Sequence, residues 1–173
     1  MLSKYHISMV SHVRYLYADP LECTGCRVCE LSCSLHNEKT INPKKARLRV
    51  TSMEPAIDMP VACRNCAKPP CKDVCPVGAI RKLENGLVVV NEKECIGCKA
   101  CVNACPFGAI FIHPDKQVAI KCTLCGYCVE HCPVKCLHIT TAEIYGQSQR
   151  REYVRNLGSS RLTAAGLISS SEK

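Results

Sequence analysis

Apolar residues in this chain come in short runs, and the longest strong one, Leu-Val-Val-Val at residues 87–90, is the size of a single strand. A membrane-spanning helix needs ~20 predominantly apolar residues, so no direct membrane span is expected. Residues 80–83 and 87–90 flank Asn85-Gly86, whose readiness to take positive φ predicts a two-residue hairpin. Residues 110–113 and 118–120 flank Pro114-Asp115-Lys116, a second predicted hairpin. Residues 47–51 form a further candidate strand. Residues 141–157 carry Ile144, Tyr145, Tyr153, Val154 and Leu157 at imperfect helical spacing, and Gly158-Ser159-Ser160 breaks the pattern. A second apolar patch (Leu162, Ala164, Ala165, Leu167, Ile168) precedes a polar end. Short strands mixed with short helices predict a small α+β fold.

Cysteine changes the picture, at 17 of 173 residues. In a short chain that fraction ordinarily signals a secreted disulfide scaffold. Here residues 1–19 are interrupted by Lys4, His6, His12 and Arg14, so no signal peptide is expected. No twin-arginine pair opens the chain, since Arg150-Arg151 comes far too late. The cysteines are also spaced too closely and regularly for ordinary disulfide geometry. A reducing, cytoplasmic setting with metal-bound thiolates is the expectation.

The cysteines repeat in four units. Cys23, Cys26, Cys29 and Cys33 follow C-x2-C-x2-C-x3-C. Cys95, Cys98, Cys101 and Cys105 repeat it, as do Cys122, Cys125, Cys128 and Cys132. Cys63, Cys66, Cys71 and Cys75 carry a two-residue insertion containing Pro69-Pro70. Proline follows the last cysteine in three units (Pro76, Pro106, Pro133), whereas the first has Ser34 there. Short helices are expected just after the third cysteine of each unit, where the spacing widens.

This spacing fits cubane iron–sulfur chemistry. Two-residue gaps let the chain curl around a cluster with backbone N–H groups aimed at sulfur. In the bacterial pattern the cysteine before proline serves the other cluster of a pair. Sixteen cysteines are enough for four 4Fe–4S clusters. Zinc is the rival, because it also takes four-thiolate sites, though usually from two separated C-x2-C pairs. The composition agrees with a fold built around metal: no Trp, two Phe and six Tyr leave few bulky side chains, and ligand binding can supply folding free energy.

The formal charge of +8 could suggest nucleic acid. An oxidised four-thiolate cubane carries roughly −2, so four contribute roughly −8. The basic excess then reads as counter-charge, and no stacking-aromatic motif supports nucleic-acid binding.

The segment 75–110, with Cys-Pro-Val-Gly-Ala-Ile and Cys-Pro-Phe-Gly-Ala-Ile, looks like a bacterial two-cluster ferredoxin core. Residues 23–132 as a whole resemble the four-cluster electron-transfer subunits of molybdenum and tungsten oxidoreductases and of some hydrogenase or carbon monoxide dehydrogenase complexes. The opening Cys-Thr-Gly-Cys-Arg-Val-Cys-Glu-Leu-Ser-Cys-Ser-Leu-His and the later Asn-Pro-Lys-Lys-Ala-Arg most resemble the small subunit that accompanies tungsten aldehyde oxidoreductases. The resemblance implies two pseudo-symmetric dicluster modules within residues 1–140: an inner half of about 60–112 and an outer half of about 20–59 plus 113–140. A helical or flexible extension follows at 141–173.

It further implies nested ligation. Cys63, Cys66, Cys71 and Cys105 would hold one cluster, and Cys95, Cys98, Cys101 and Cys75 its partner. Cys23, Cys26, Cys29 and Cys132 would hold a third, and Cys122, Cys125, Cys128 and Cys33 a fourth. Spacing alone leaves sequential pairing of the first unit with the second open. The implied role is non-catalytic: single electrons pass between a catalytic subunit, for which a tungsten or molybdenum pterin enzyme acting on aldehydes is expected, and another carrier such as a flavin subunit or a ferredoxin. The alternatives are an electron-transfer subunit of a hydrogenase, formate or carbon monoxide dehydrogenase, a free polyferredoxin, or a zinc-binding assembly module. Self-association is compatible with any of the electron-carrying readings. No nucleotide or flavin fingerprint and no separate catalytic constellation is visible.

The remaining candidates carry plainer readings beside functional ones. Cys136 aligns with Ala79 and Ala109, a small buried position, and reads as a structural thiol or as an alternative ligand. Arg27, Arg64, Lys72, Lys99, Lys121 and Lys135 sit beside ligands, either as counter-charges or as solvated side chains. His36 and His131 lie near ligand loops but are not needed as ligands. Tyr127 packs, or faces a partner. The extension is a disordered tail or an arm that docks on a partner or a second copy.

Overall fold

The computed structural model describes residues 13–53, 57–141 and, beyond them, 143, 144, 146, 147, 150, 151 and 154. Two compact units are present, Met1–Thr140 and Thr141–Lys173. In the first, strand β1 (Arg14–Ala18) leads into helix α1 (Val28–Glu38), then a 3-10 turn at Pro43–Lys45, strands β2 (Arg49–Met53) and β3 (Ile57–Val61), and helix α2 (Pro70–Asp73). Strands β4 (Ile80–Lys82) and β5 (Val88–Val90), helix α3 (Ala100–Ala104), strands β6 (Phe111–Ile112) and β7 (Ala119–Ile120), helix α4 (Tyr127–Glu130) and strand β8 (Leu137–Thr141) complete it. The strands form four two-stranded sheets, β1 with β8, β2 with β3, β4 with β5 and β6 with β7. In the second unit the described residues from 143 to 154 are helical. The patch at 162–168 lies outside the described residues. No helix among the described residues is long and apolar enough to cross a membrane.

The helices begin one residue before the third cysteine of each unit rather than just after it. Arg27, Lys99 and Gly126 take left-handed backbone at the N-caps of α1, α3 and α4, with φ of 58°, 63° and 83°. That turns the chain sharply enough to place the third cysteine in the first helical turn. In α2 the Pro69-Pro70 insertion does the same job, since proline is pre-set for the first helical position. Pro76, Pro106 and Pro133 then oppose helical backbone at the preceding cysteine; Cys105 is extended at φ −78°, ψ 113°. Ser34 imposes no such stop, so α1 runs through Cys33 for 11 residues. Its buried hydroxyl donates to Leu31 O at 2.9 Å and accepts from Asn42 N at 3.2 Å.

Both predicted hairpins form, with longer loops. In the first, β4 pairs with β5 through Lys82↔Val88, and Leu83 N donates to Leu87 O at 2.8 Å. The loop is therefore Glu84-Asn85-Gly86. Only Gly86, at φ 82°, takes the positive φ, as in a three-residue loop closed by a left-handed glycine. In the second, His113 N bonds Val118 O at 2.8 Å, and Gln117 at φ 55° joins the loop. The candidate strand at 47–51 is β2, shifted to Arg49–Met53. Its partner β3 and the β1–β8 pair were not evident from the apolar pattern.

The helices associate in a nested order, α1 on α4 and α2 on α3, whereas apart from β1–β8 the strands pair with their neighbours in sequence. One core gathers Leu16, Leu48, Val50 and Leu137 with Cys29, Cys33, Cys122, Cys128 and Cys132. The other gathers Ile80, Val88 and Ile110 with Cys71 and Cys101. Each fully buried Leu contributes roughly 1.5–3 kcal/mol, so a few aliphatics frame each core while cysteines occupy much of its interior.

Candidate metal centre

The cysteine loops share one backbone device. The residue before the second cysteine of every unit has positive φ: Gly25 at 66°, Asn65 at 47°, Gly97 at 67° and Leu124 at 59°. Except in the second unit, the residue after that cysteine does too. Alternating left- and right-handed residues point successive N–H groups into one concavity, a nest suited to anions and to the sulfurs of iron–sulfur sites. Asn65 N and Leu124 N reach Cys63 Sγ and Cys122 Sγ at 3.4 Å. Arg47 N donates to Cys33 Sγ at 3.3 Å, and Ala109 N and Ala119 N to Cys105 and Cys95 at 3.4 Å. At Gly97 a Cβ would overlap the Gln117 carbonyl oxygen, whereas at Gly108 it would meet open space.

Three cavities open beside these loops. One is lined by Cys63, Cys66, Cys71 and Cys105. A second is lined by Cys75, Cys95, Cys98 and Cys101, and a third by Cys33, Cys122, Cys125 and Cys128. Each takes three cysteines from one unit and the fourth from another. The second unit exchanges with the third, and the first lends Cys33 to the fourth. Cys23, Cys26, Cys29 and Cys132 remain, and Cys136 Sγ lies 3.6 Å from Cys132 Sγ. Among the described residues no three His, Cys, Asp or Glu side chains converge on the position of a single metal ion. Four cysteines line each of the three cavities, and such a donor set fits a polynuclear group with one metal per thiolate.

Electrostatics follow the same groupings. Burial, aided by the Glu30 carboxylate, pushes the Cys29 thiol up to about 12. Burial carries Cys71 and Cys122 to about 11 and raises Cys33, Cys66, Cys101, Cys128 and Cys136 as well. The neighbouring thiols that push Cys66 are Cys63 and Cys105, and those that push Cys101 are Cys95, Cys98 and Cys75. Without metal such cysteines hold their protons, so metal uptake must release protons and depend on pH.

The other candidates separate by burial. Arg27, Lys72, Lys99 and Lys135 are exposed, Arg64 is half-buried against Tyr15 and Phe107, and Lys121 is buried. Cys136 is buried, as are Ala79 and Ala109 at the matching positions. His36 and His131 stack on Tyr127, with ring centroids 4.6 and 4.1 Å apart, so Tyr127 packs between the histidines. Sequence reasoning missed Glu30, Asn65 and Arg47. Buried Glu30 accepts from Val50 N at 2.7 Å. Asn65 ties β1 to β5 by donating to Arg14 O at 2.9 Å and accepting from Val88 N at 3.1 Å. The Arg47 guanidinium reaches Glu38 and Glu92 at 3.6 and 3.4 Å. Only Asn65 left a signal, an asparagine inside a C-x2-C gap that needs positive φ.

Two family profiles match the chain: a 4Fe-4S dicluster domain over residues 56–148 and a 4Fe-4S binding domain over residues 20–36. The protein YsaA of Escherichia coli (strain K12) is 39% identical over 145 residues, covering 75% of this chain and 91% of its own. The polyferredoxin-like subunit of the aliphatic sulfonate oxidoreductase of Pyrococcus furiosus is 43% identical over 122 residues, covering 68% and 70%. The electron transport protein HydN of Escherichia coli (strain K12) is 34% identical over 151 residues, covering 72% and 86%.

Proposed function

The chain belongs to the 4Fe-4S dicluster domain family, and from that premise we propose that it carries four 4Fe–4S clusters on sixteen cysteines and is the electron-transfer subunit of a tungsten or molybdenum oxidoreductase acting on aldehydes. The coarser statement stands independently. The chain is an iron–sulfur electron-transfer protein of the ferredoxin-like kind that serves redox enzyme complexes, and it is not itself the catalyst.

The observation that carries the four-cluster reading is the repetition of one loop. Four nests stand at equivalent positions, and three cavities are each ringed by four cysteines in the nested sets. The fourth set is Cys23, Cys26, Cys29 and Cys132. When bound, each cluster would accept and release one electron at a time. The chain's own residues do the rest. Backbone N–H groups steady the thiolates, apolar side chains such as Ile80, Val88 and Leu48 exclude water, and basic side chains offset the cluster charge. The inner and outer halves are then two dicluster modules, joined as a chain of carriers within a cytoplasmic complex. The 141–173 extension is an arm that docks on the partner.

The aldehyde assignment draws on the opening and Asn-Pro-Lys-Lys-Ala-Arg motifs. The Pyrococcus relative, named for a sulfonate oxidoreductase, favours a second reading in which the partner's substrate is a sulfonate. Anaerobic affinity purification from the native host, with metal analysis of the eluate, decides. A large tungsten- or molybdenum-containing partner supports the reading, and its activity on aldehydes or sulfonates chooses between the two. A nickel-containing partner, or none, overturns the partner assignment and leaves the clusters to be judged on iron content.

A further inference from the structure

Lys121 is 2% exposed, yet among the described residues no carboxylate pairs with its ammonium group. Its Nζ donates instead to the carbonyl oxygens of Val88 and, at 3.0 Å, of Cys122. Two carbonyls satisfy hydrogen bonds but do not neutralise a charge, and a buried charge without a counter-ion is strongly disfavoured. Something anionic has to stand near it.

The anchors say where. Val88 lines the cavity ringed by Cys63, Cys66, Cys71 and Cys105. Cys122 is one of the four cysteines around the cavity with Cys33, Cys125 and Cys128. The ammonium is thus tethered to a residue of one cavity and a residue of the other. The residues that precede the first cysteine in the other units are Glu22, Ala62 and Glu94, so none of them supplies an equivalent cation.

We propose that Lys121 is the shared counter-cation of two clusters, one in each half of the protein, and that it holds both reduction potentials up at the crossing between the halves. The inference rests on the reading that these two cysteine sets hold clusters. Reduction adds one electron, and hence one negative charge, to a cluster. A fixed cation in a low-dielectric interior favours the reduced form over the oxidised one, so the potential rises on whichever side the electron sits. Placed between two clusters, the same charge serves both and makes the junction a favourable stop for an electron moving between the inner and outer halves. Lys121 contacts no substrate; it is a positioning residue that acts through its charge.

The test is an anaerobic redox titration of the whole holoprotein, followed by electron paramagnetic resonance and accompanied by iron analysis, for wild type, Lys121→Met, Lys121→Gln and Lys121→Arg. The expected result is that both neutral variants shift two midpoint potentials to more negative values and leave the others in place, while Lys121→Arg stays near wild type. Unchanged potentials in the neutral variants, or an equal shift in Lys121→Arg, overturn the proposal. If the neutral variants lose iron, Lys121→Arg decides: full iron with wild-type potentials supports the charge role, and iron loss or shifted potentials refutes it. A wild type without iron would instead refute the cluster reading itself, before any variant is compared.

Discussion

Around α1 and α4, five of the eight cysteines (Cys29, Cys33, Cys122, Cys128 and Cys132) are buried, whereas around α2 and α3 only Cys63, Cys71 and Cys101 are. The loops are nearly the same; what covers them is not. Around α1 and α4 Ser34 lets α1 run on past Cys33, and β1, β8 and the start of β2 with the residue before it bring Leu16, Leu137, Val50 and Leu48 into one core with the cysteines. Around α2 and α3 the two short hairpins and their flanks contribute Ile80, Val88, Ile110 and Ala119. Similar ligand loops can therefore sit in different media, and a drier medium resists added negative charge. The proposed clusters around α1 and α4 are therefore expected to have the lower potentials, apart from the one that Lys121 relieves.

The largest expected effect comes from Cys33→Ala. It stands in the first unit's sequence but lines the cavity of Cys122, Cys125 and Cys128. The variant should lose or convert that cluster, with iron falling by up to about four atoms per chain, while the inner pair keeps its spectrum. Spectroscopic damage to an inner cluster would instead mean that the first unit pairs with the second.

Next comes Gly97→Ala against Gly108→Ala. Both residues have positive φ, 67° and 58°, and alanine costs about 1–2 kcal/mol on that account alone. Only at Gly97 does the new Cβ also meet a backbone carbonyl. Gly97→Ala should therefore lower iron retention at the Cys75, Cys95, Cys98 and Cys101 site, and Gly108→Ala should give a stable, loaded protein with a modest fall in Tm. Equal behaviour of the two would remove the packing argument.

The smallest effect tests how α1 is tied to the loop between β6 and β7. Glu38 at the end of α1 reaches Lys116 Nζ at 2.9 Å and His113 Nε2 at 3.2 Å, both from the β6–β7 hairpin. His113 Nδ1 accepts from Asp115 N and Lys116 N, so its Nε2 is the nitrogen that faces Glu38. Burial alone would raise the Glu38 carboxyl, but Lys116 and His113 outweigh it and hold it below the usual carboxylate range. A depressed folded-state value contributes stability above the unfolded value, and that stability disappears as pH falls through the folded one. Glu38→Gln should thus lower Tm slightly at pH 7, and the gap from wild type should close on acidification. A gap that is constant with pH would show that the carboxylate charge is not responsible.

Much of this was legible beforehand because cysteine spacing is a local code. The four units, the two hairpins and the small buried position of Cys136 followed from the order of residues alone. The starts of α1 and α3 were displaced because the left-handed turns at Arg27 and Lys99 carry no glycine to announce them. The Asn85-Gly86 loop was read one residue short because the glycine closes a three-residue turn rather than sharing a two-residue one. The β1–β8 pair joins residues more than a hundred positions apart, and nothing local in Arg-Tyr-Leu-Tyr-Ala points to Leu-His-Ile-Thr-Thr. Glu30 looked like an ordinary surface charge, and nothing local separated Lys121 from the five other basic residues beside ligands, since burial of a charge is decided by elements distant in sequence.

The number of clusters that the sixteen cysteines hold is measured most directly as iron, acid-labile sulfide and zinc per chain in anaerobically purified protein. Roughly sixteen iron and sixteen sulfide per chain, with a brown colour bleached by dithionite and negligible zinc, is the predicted result. About eight iron, or a colourless protein with about four zinc, would contradict it.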